Sequence, residues 1–114
     1  MKTSRDKGYL LEEKIADMVR ELDPTARPTN GSGAKGERGD IYVRSLPLLI
    51  ECKYRAIKNL IINMDWWNHL LFRLPHGSPR KPVLVVGNDT HTFAVMDIND
   101  YMELIKQAYG GSNG

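Results

Sequence analysis

The chain is poor in the features that would set it apart from ordinary one-core proteins. Cys52 is its only cysteine, which excludes an intramolecular disulfide framework and suits a reducing cytoplasm. No apolar run approaches the ~20 residues that a bilayer-spanning helix needs, and the basic opening Met1–Lys7 leads into no apolar signal region, so no membrane association is expected. There is no internal repeat and no linker-like stretch between two units. His69 and His76 lack the spacing of metal ligands. With 41% hydrophobic residues the chain is too apolar for disorder. Its 114 residues suit a single domain, taken as residues 1–109, with 110–114 a flexible tail. A core of that size needs no metal or disulfide to hold it together.

Carboxylates are scarce in two places. From Trp66 to Asn88 there is none, while Arg73, Arg80 and Lys81 fall in that stretch. Between Pro24 and Leu60, Arg27, Lys35, Arg38, Arg44, Lys53, Arg55 and Lys58 stand against Glu37, Asp40 and Glu51. The net charge of +2 is small, and surface lysine and arginine account for it equally well. Acid-poor stretches of this kind are nevertheless compatible with a polyanionic partner.

Apolar periodicity gives the element order α-β-β-α-β-β-α, an α/β fold with a mixed sheet and helices against it. Leu11, Ile15, Met18, Val19 and Leu22 form one stripe of a helix over 9–22, which Asp23-Pro24 ends. A glycine-rich loop follows from Pro28 to Gly39. Strands are expected at 41–44 and 48–54, then a helix at 59–74 carrying Trp66 and Trp67. Strands at 82–86 and 92–96 follow, and Asp97 or Asn99 caps a last helix to about Tyr109. Adjacent tryptophans on a helix point about 100° apart, so one can enter the core while the other serves an interface or stacks on a base.

Gly31-Ser32-Gly33-Ala34-Lys35-Gly36 matches G-x-G-x-x-G literally. The dinucleotide fingerprint requires a strand before it and a helix opening on it, whereas here Pro28 precedes the motif and a strand follows. A dinucleotide site is rejected.

The pattern that carries chemistry is Gly39-Asp40, ten residues, then Glu51-Cys52-Lys53. Glu51 and Lys53 share one face of their strand and Cys52 takes the other. For a hairpin centred on Ser45-Leu46, Asp40 falls directly opposite Glu51, with Cβ atoms about 5 Å apart. Two carboxylates that close repel each other, and a divalent cation with hard oxygen ligands, such as Mg2+, would compensate. Lys53 beside them could meet a phosphate or an attacking water, which describes a metal-dependent phosphodiesterase. The ordinary alternative has Asp40 capping a turn and Glu51–Lys53 on a solvated edge. Against it, Leu48, Leu49, Ile50 and Cys52 suggest a strand covered on both faces, where charges need a reason.

Gly39-Asp40…Glu51-Cys52-Lys53 resembles the PD-(D/E)xK nuclease motif, with glycine in place of the proline. Upstream, Lys7-Gly8-Tyr9-Leu10-Leu11-Glu12 resembles the K-G-x-x-x-E opening of archaeal and phage-type Holliday junction resolvases. Arg27-Pro28 and Gly31–Lys35 are similar to their R-x-P…S-G-x-K loop. The resemblance implies a restriction-endonuclease-like fold and a Mg2+-dependent endodeoxyribonuclease, with Mn2+ able to substitute. Asp40 and Glu51 would be metal ligands, with the backbone carbonyl of Cys52. Lys53 would orient the water and stabilise charge on the phosphate. Glu12, or failing it the adjacent Glu13, would be an outer carboxylate on a second metal or a metal-bound water. Ser32 would sit near the scissile phosphate, or else be a plain turn former. Arg27, Lys35, Arg38, Arg55, Lys58 and Arg73 would contact DNA.

The partner so implied is a four-way junction, resolved by a homodimer in the cytoplasm, the host's if a phage encodes it. Ile61-Ile62, Trp66-Trp67 and Leu70-Leu71 offer apolar surface for the dimer. A flap-type nuclease of the same superfamily, or a branched-DNA-binding module without turnover, are the alternatives.

Overall fold

The structure is a computed structural model and describes residues 2–29 and 40–110. Helix α1 spans Ser4–Arg20, strand β1 Arg27–Pro28, β2 Asp40–Tyr42, β3 Leu48–Tyr54, helix α2 Met64–Arg73, β4 Lys81–Gly87, β5 Thr92–Val95 and helix α3 Ile98–Tyr109. The strands form one five-stranded mixed sheet in sequence order, antiparallel throughout except for the parallel pair β3–β4. The architecture is α/β as expected, with one strand more than periodicity suggests. Arg27–Pro28 is too short to show a period, yet it pairs with Tyr42 and Ile41 at the sheet edge. The order is therefore α-β-β-β-α-β-β-α.

Local chemistry explains where the elements begin. Helix α1 starts at Ser4 rather than Tyr9 because Thr3 and Asp6 form a reciprocal capping box. Helix α2 starts at Met64, where Asn63 accepts a hydrogen bond from the Asp65 N–H, so 59–63 stay non-helical. Asp97 caps α3, receiving the N–H groups of Asn99 and Asp100.

The two faces of the sheet bury different helices. Leu11, Ile15 and Ala16 of α1 pack with Ile41, Ile50, Cys52, Tyr54 and Val85. On the other face Leu70 of α2 packs with Leu84 and Val86, with Trp66 and Trp67 half-buried around them. Both tryptophans thus serve the core. No residue of α3 is buried, so this helix does not cover the sheet, although Lys81 reaches Glu103 at 3.1 Å. No helix among the described residues is long and apolar enough to cross a membrane.

Helix α1 stops at Arg20 with Glu21 as its cap, short of the expected end at 22, and Asp23 has a different task. Its buried carboxylate accepts hydrogen bonds from the Thr25 N–H and hydroxyl, and from the N–H groups of Arg44 and Ser45 at 2.7 and 2.9 Å. Arg80 pins the same turn by donating to the carbonyls of Leu48 and Val43. The β2–β3 connection is therefore held from both sides, which fixes the register of the hairpin.

Candidate functional site

The register pairs Asp40 with Glu51 and Ile41 with Ile50, as the hairpin arithmetic requires. Strand alternation then separates the side chains. Ile50, Cys52 and Tyr54 enter the core beneath α1, while Leu49 packs on the α2 side and Glu51 shares that side. Asp40 and Glu51 are both buried. Lys53 Nζ lies 3.4 Å from Glu51 Oε2, an oxygen that is buried and accepts no hydrogen bond.

The compensating charge is an arginine. Arg73, the last residue of α2, donates from Nη1 to Asp40 Oδ1 at 2.9 Å and to Glu51 Oε1 at 2.7 Å, while its Nη2 pairs with Asp40 Oδ2. One guanidinium thus holds three oxygens of the two carboxylates. Arg73, expected as a DNA contact, is here 14% exposed and engaged by the two carboxylates. It also removes the premise that the carboxylate pair needs a metal in order to be tolerated. The sequence carried a signal for it. Trp66, Leu70 and Arg73 fall at helical spacing on the sheet-facing side of α2, and a cation on an apolar helix face needs a buried anion.

Glu12 is buried on α1 whereas Glu13 is exposed, which favours Glu12 as the functional acid of the two. It lines a cleft of about 380 Å³ with Gly8, Cys52, Lys53 and Arg55. Asp40 and Arg73 line another opening, of about 210 Å³. Among the described residues no group of three or more His, Cys, Asp or Glu side chains is gathered to hold a metal. Glu12 therefore does not join Asp40 and Glu51 in a three-carboxylate cluster, because α1 packs on the Cys52 face of the sheet. It is still close enough to act electrostatically. Burial pushes the Cys52 thiol far up from its ordinary value, and the charges of Glu12, Asp40 and Glu51 push it further in the same direction. Cys52 is a core residue and no nucleophile.

Two carboxylates suffice for Mg2+, which takes one or two from a protein and completes its shell with water and phosphate oxygens. The buried Glu51 Oε2 and the convergence of Asp40 and Glu51 on one cation fit such an ion, provided that Arg73 moves.

The remaining basic residues divide. Arg27 is exposed and its guanidinium stacks on Tyr42 at 4.4 Å. Arg55, also exposed, lies over Trp66 at 4.6 Å, and Lys58 is exposed. The cations of the acid-poor stretch are used internally: Arg73 on the carboxylates, Arg80 on backbone carbonyls, and Lys81 on Asp100 and Glu103. Ser32, Lys35 and Arg38, with the whole G-x-G-x-x-G segment, lie outside the described residues. Lys7 donates to Asp89 Oδ2 at 2.9 Å, and Tyr54 donates to Asp89 Oδ1 at 2.6 Å. The lysine of the Lys7-Gly8 pair therefore ties α1 to the β4–β5 turn.

No protein-family model, no curated protein and no solved structure matches the chain.

Proposed function

We propose that the protein is a metal-dependent endodeoxyribonuclease of restriction-endonuclease-like fold, selective for branched DNA, with a four-way junction as its leading substrate. The observation that carries this reading is the pairing of buried Asp40 with buried Glu51, with Lys53 two residues on along the same strand face. Asp40 and Glu51 would hold Mg2+, with the Cys52 carbonyl between them and Lys53 in the chain. Bound there, such an ion would supply Lewis-acid polarisation of a phosphoryl oxygen and a water of lowered pKa. Lys53, 28% exposed, is open enough to meet a phosphate and fixed enough by Glu51 to meet it in one place. Its charge would stabilise the negative charge that grows on the phosphoryl oxygens. Glu12, across the cleft from Lys53, would orient water. Arg27, Arg55 and Lys58 would give sequence-independent phosphate contacts.

Resolution of a junction needs two matched nicks, hence two copies of the site related by a two-fold axis. The apolar surface left over after folding supports a homodimer. Ile61, Ile62 and Phe72 around α2 are exposed, as are Ile98 and Tyr101 on α3, a helix with no buried residue. Leu70, with Trp66 and Trp67 packed against it, belongs to the core and is not available to that interface.

One observation favours a second reading, a branched-DNA-binding module without turnover. Arg73 and Lys53 already offset the two carboxylates, so the pair is stable without metal. A labelled four-way junction and a matched linear duplex, incubated with and without Mg2+, decide between the two. The nuclease reading expects paired nicks near the branch point that require Mg2+ and are lost in Asp40→Asn and Glu51→Gln. Junction binding without any cleavage would establish the binding module. Equal cutting of flaps and duplex by a monomer would make it a flap-type enzyme.

A further inference from the structure

Arg73 fills the place between the two carboxylates where a cation would bind. Its Nη1 reaches both, at 2.9 Å to Asp40 and 2.7 Å to Glu51, and its Nη2 takes the second Asp40 oxygen. A fork on three oxygens is a demanding geometry that a lysine cannot copy. Asp40 and Glu51 already face two cations, Arg73 between them and Lys53 beside Glu51. Adding a dication with both cations in place would leave an uncompensated positive excess in a buried position, which is costly. A metal ion seated between Asp40 and Glu51 would have to take the position that the guanidinium fills.

Arg73 is also placed to leave. It is the final residue of α2, and Leu74 beyond it is already extended, at φ −72° and ψ 126°. Its arm hangs from a helix end, where the dipole favours a cation inside or outside the site. Together with Asp40 it lines an opening to the surface of about 210 Å³.

We propose that Arg73 is a resident counter-cation that occupies the Asp40–Glu51 site in the metal-free protein and must swing out before a divalent ion can bind there. This rests on the metal-dependent reading above and adds its regulation: the site is closed by its own guanidinium, and metal affinity is set by the cost of expelling it. Arg73 is thus a positioning residue for the metal-free state and an obstacle to the loaded one.

The test uses Mn2+ alone as the probe, without DNA, its free-ion signal read by electron paramagnetic resonance. Arg73→Gln removes the competitor and should bind Mn2+ at least tenfold more tightly than wild type. Arg73→Lys keeps a charge without the fork and should fall between them. In the wild-type protein, phenylglyoxal labelling of Arg73, mapped by mass spectrometry, should rise at least threefold when Mn2+ is added. The labelling decides by itself if Arg73→Gln fails to fold. Unchanged labelling with Mn2+ bound, equal or weaker binding in a folded Arg73→Gln, or no Mn2+ bound by any form would each overturn the proposal. Failure of the nuclease reading looks different: Mn2+ binds, Arg73 is released, and no junction is cut.

Discussion

Lys53 is the residue at which a catalytic role and a structural one predict different measurements. Its Nζ is 3.4 Å from Glu51 Oε2 and its side chain is 28% exposed. Glu51 is buried, but Lys53 is open to solvent and its 3.4 Å contact is an ion pair without a hydrogen bond, so the pair contributes about 1 kcal/mol to stability. Removing the ammonium does not strand the glutamate, because Arg73 still holds Glu51 Oε1 at 2.7 Å. Lys53→Ala should therefore lower Tm by no more than about 5 °C. The effect on chemistry is much larger. Losing one fixed charge aimed at a developing oxyanion costs about 10²–10³ in rate, or roughly 3–4 kcal/mol of transition-state stabilisation. Single-turnover cleavage of a labelled junction in Mg2+, run beside thermal melts, reads both effects. Lys53→Ala should cleave at least 100-fold more slowly and melt near wild type, and Lys53→Arg should recover part of the rate. Cleavage within a few-fold of wild type would remove Lys53 from the mechanism. A rate loss matched by a large fall in Tm would show that the side chain only supports the fold.

Asp23→Asn should lower Tm by about 10 °C at neutral pH, since an amide cannot accept from Arg44 and Ser45 while also serving Thr25. The Thr25 hydroxyl and the Ser45 N–H hold the Asp23 carboxyl well below the usual carboxylate range, so its stabilisation is full above about pH 4 and disappears as the pH falls through the folded value. The gap between wild type and Asp23→Asn in melts should therefore shrink in acid, and a gap independent of pH would contradict the account. Glu12→Gln should impair cleavage severely and Glu13→Gln little, because only Glu12 is buried at the cleft; the reverse result would move the acid by one position. Junction binding should weaken with salt, and Lys58→Ala should reduce the log–log slope by about 0.9, whereas Arg80→Ala should destabilise the β2–β3 turn and leave the slope unchanged.

The hairpin was legible because two constraints agreed. Alternation assigned faces to Glu51, Cys52 and Lys53, and a turn centred on Ser45-Leu46 fixed which residues meet, so Asp40 lands on Glu51. The start of α1 was missed because its first turn carries no apolar stripe, and only the Thr3–Asp6 box announces it. Strand β1 was missed because two residues have no periodicity, and their pairing is settled by Tyr42 and Ile41 from a distant part of the chain. The acid-poor stretch misled for a related reason. Local charge counts cannot show that Arg73, Arg80 and Lys81 each meet an acceptor at least 19 positions away in sequence or on another element, as the partners Glu51, Leu48 and Asp100 demonstrate.

The site itself turns on one piece of electrostatics that sequence spacing states only in part. Two buried carboxylates in register demand a cation, and nothing in a hairpin's numbering says which. A dication answers that demand alone and a guanidinium does so with Lys53 beside it, and the two differ in what they leave open. A guanidinium held by three oxygens is a finished structural contact, stable and chemically inert. A metal with two protein ligands keeps positions for water and phosphate, which is what hydrolysis needs. The same pair can serve both purposes in turn only if the arginine sits where it can depart, and a residue at the last position of a helix, followed by extended backbone, meets that condition. Lys53 completes the logic. Its ammonium lies 3.4 Å from the glutamate oxygen that Arg73 does not take, so its place beside the phosphate position does not depend on Arg73.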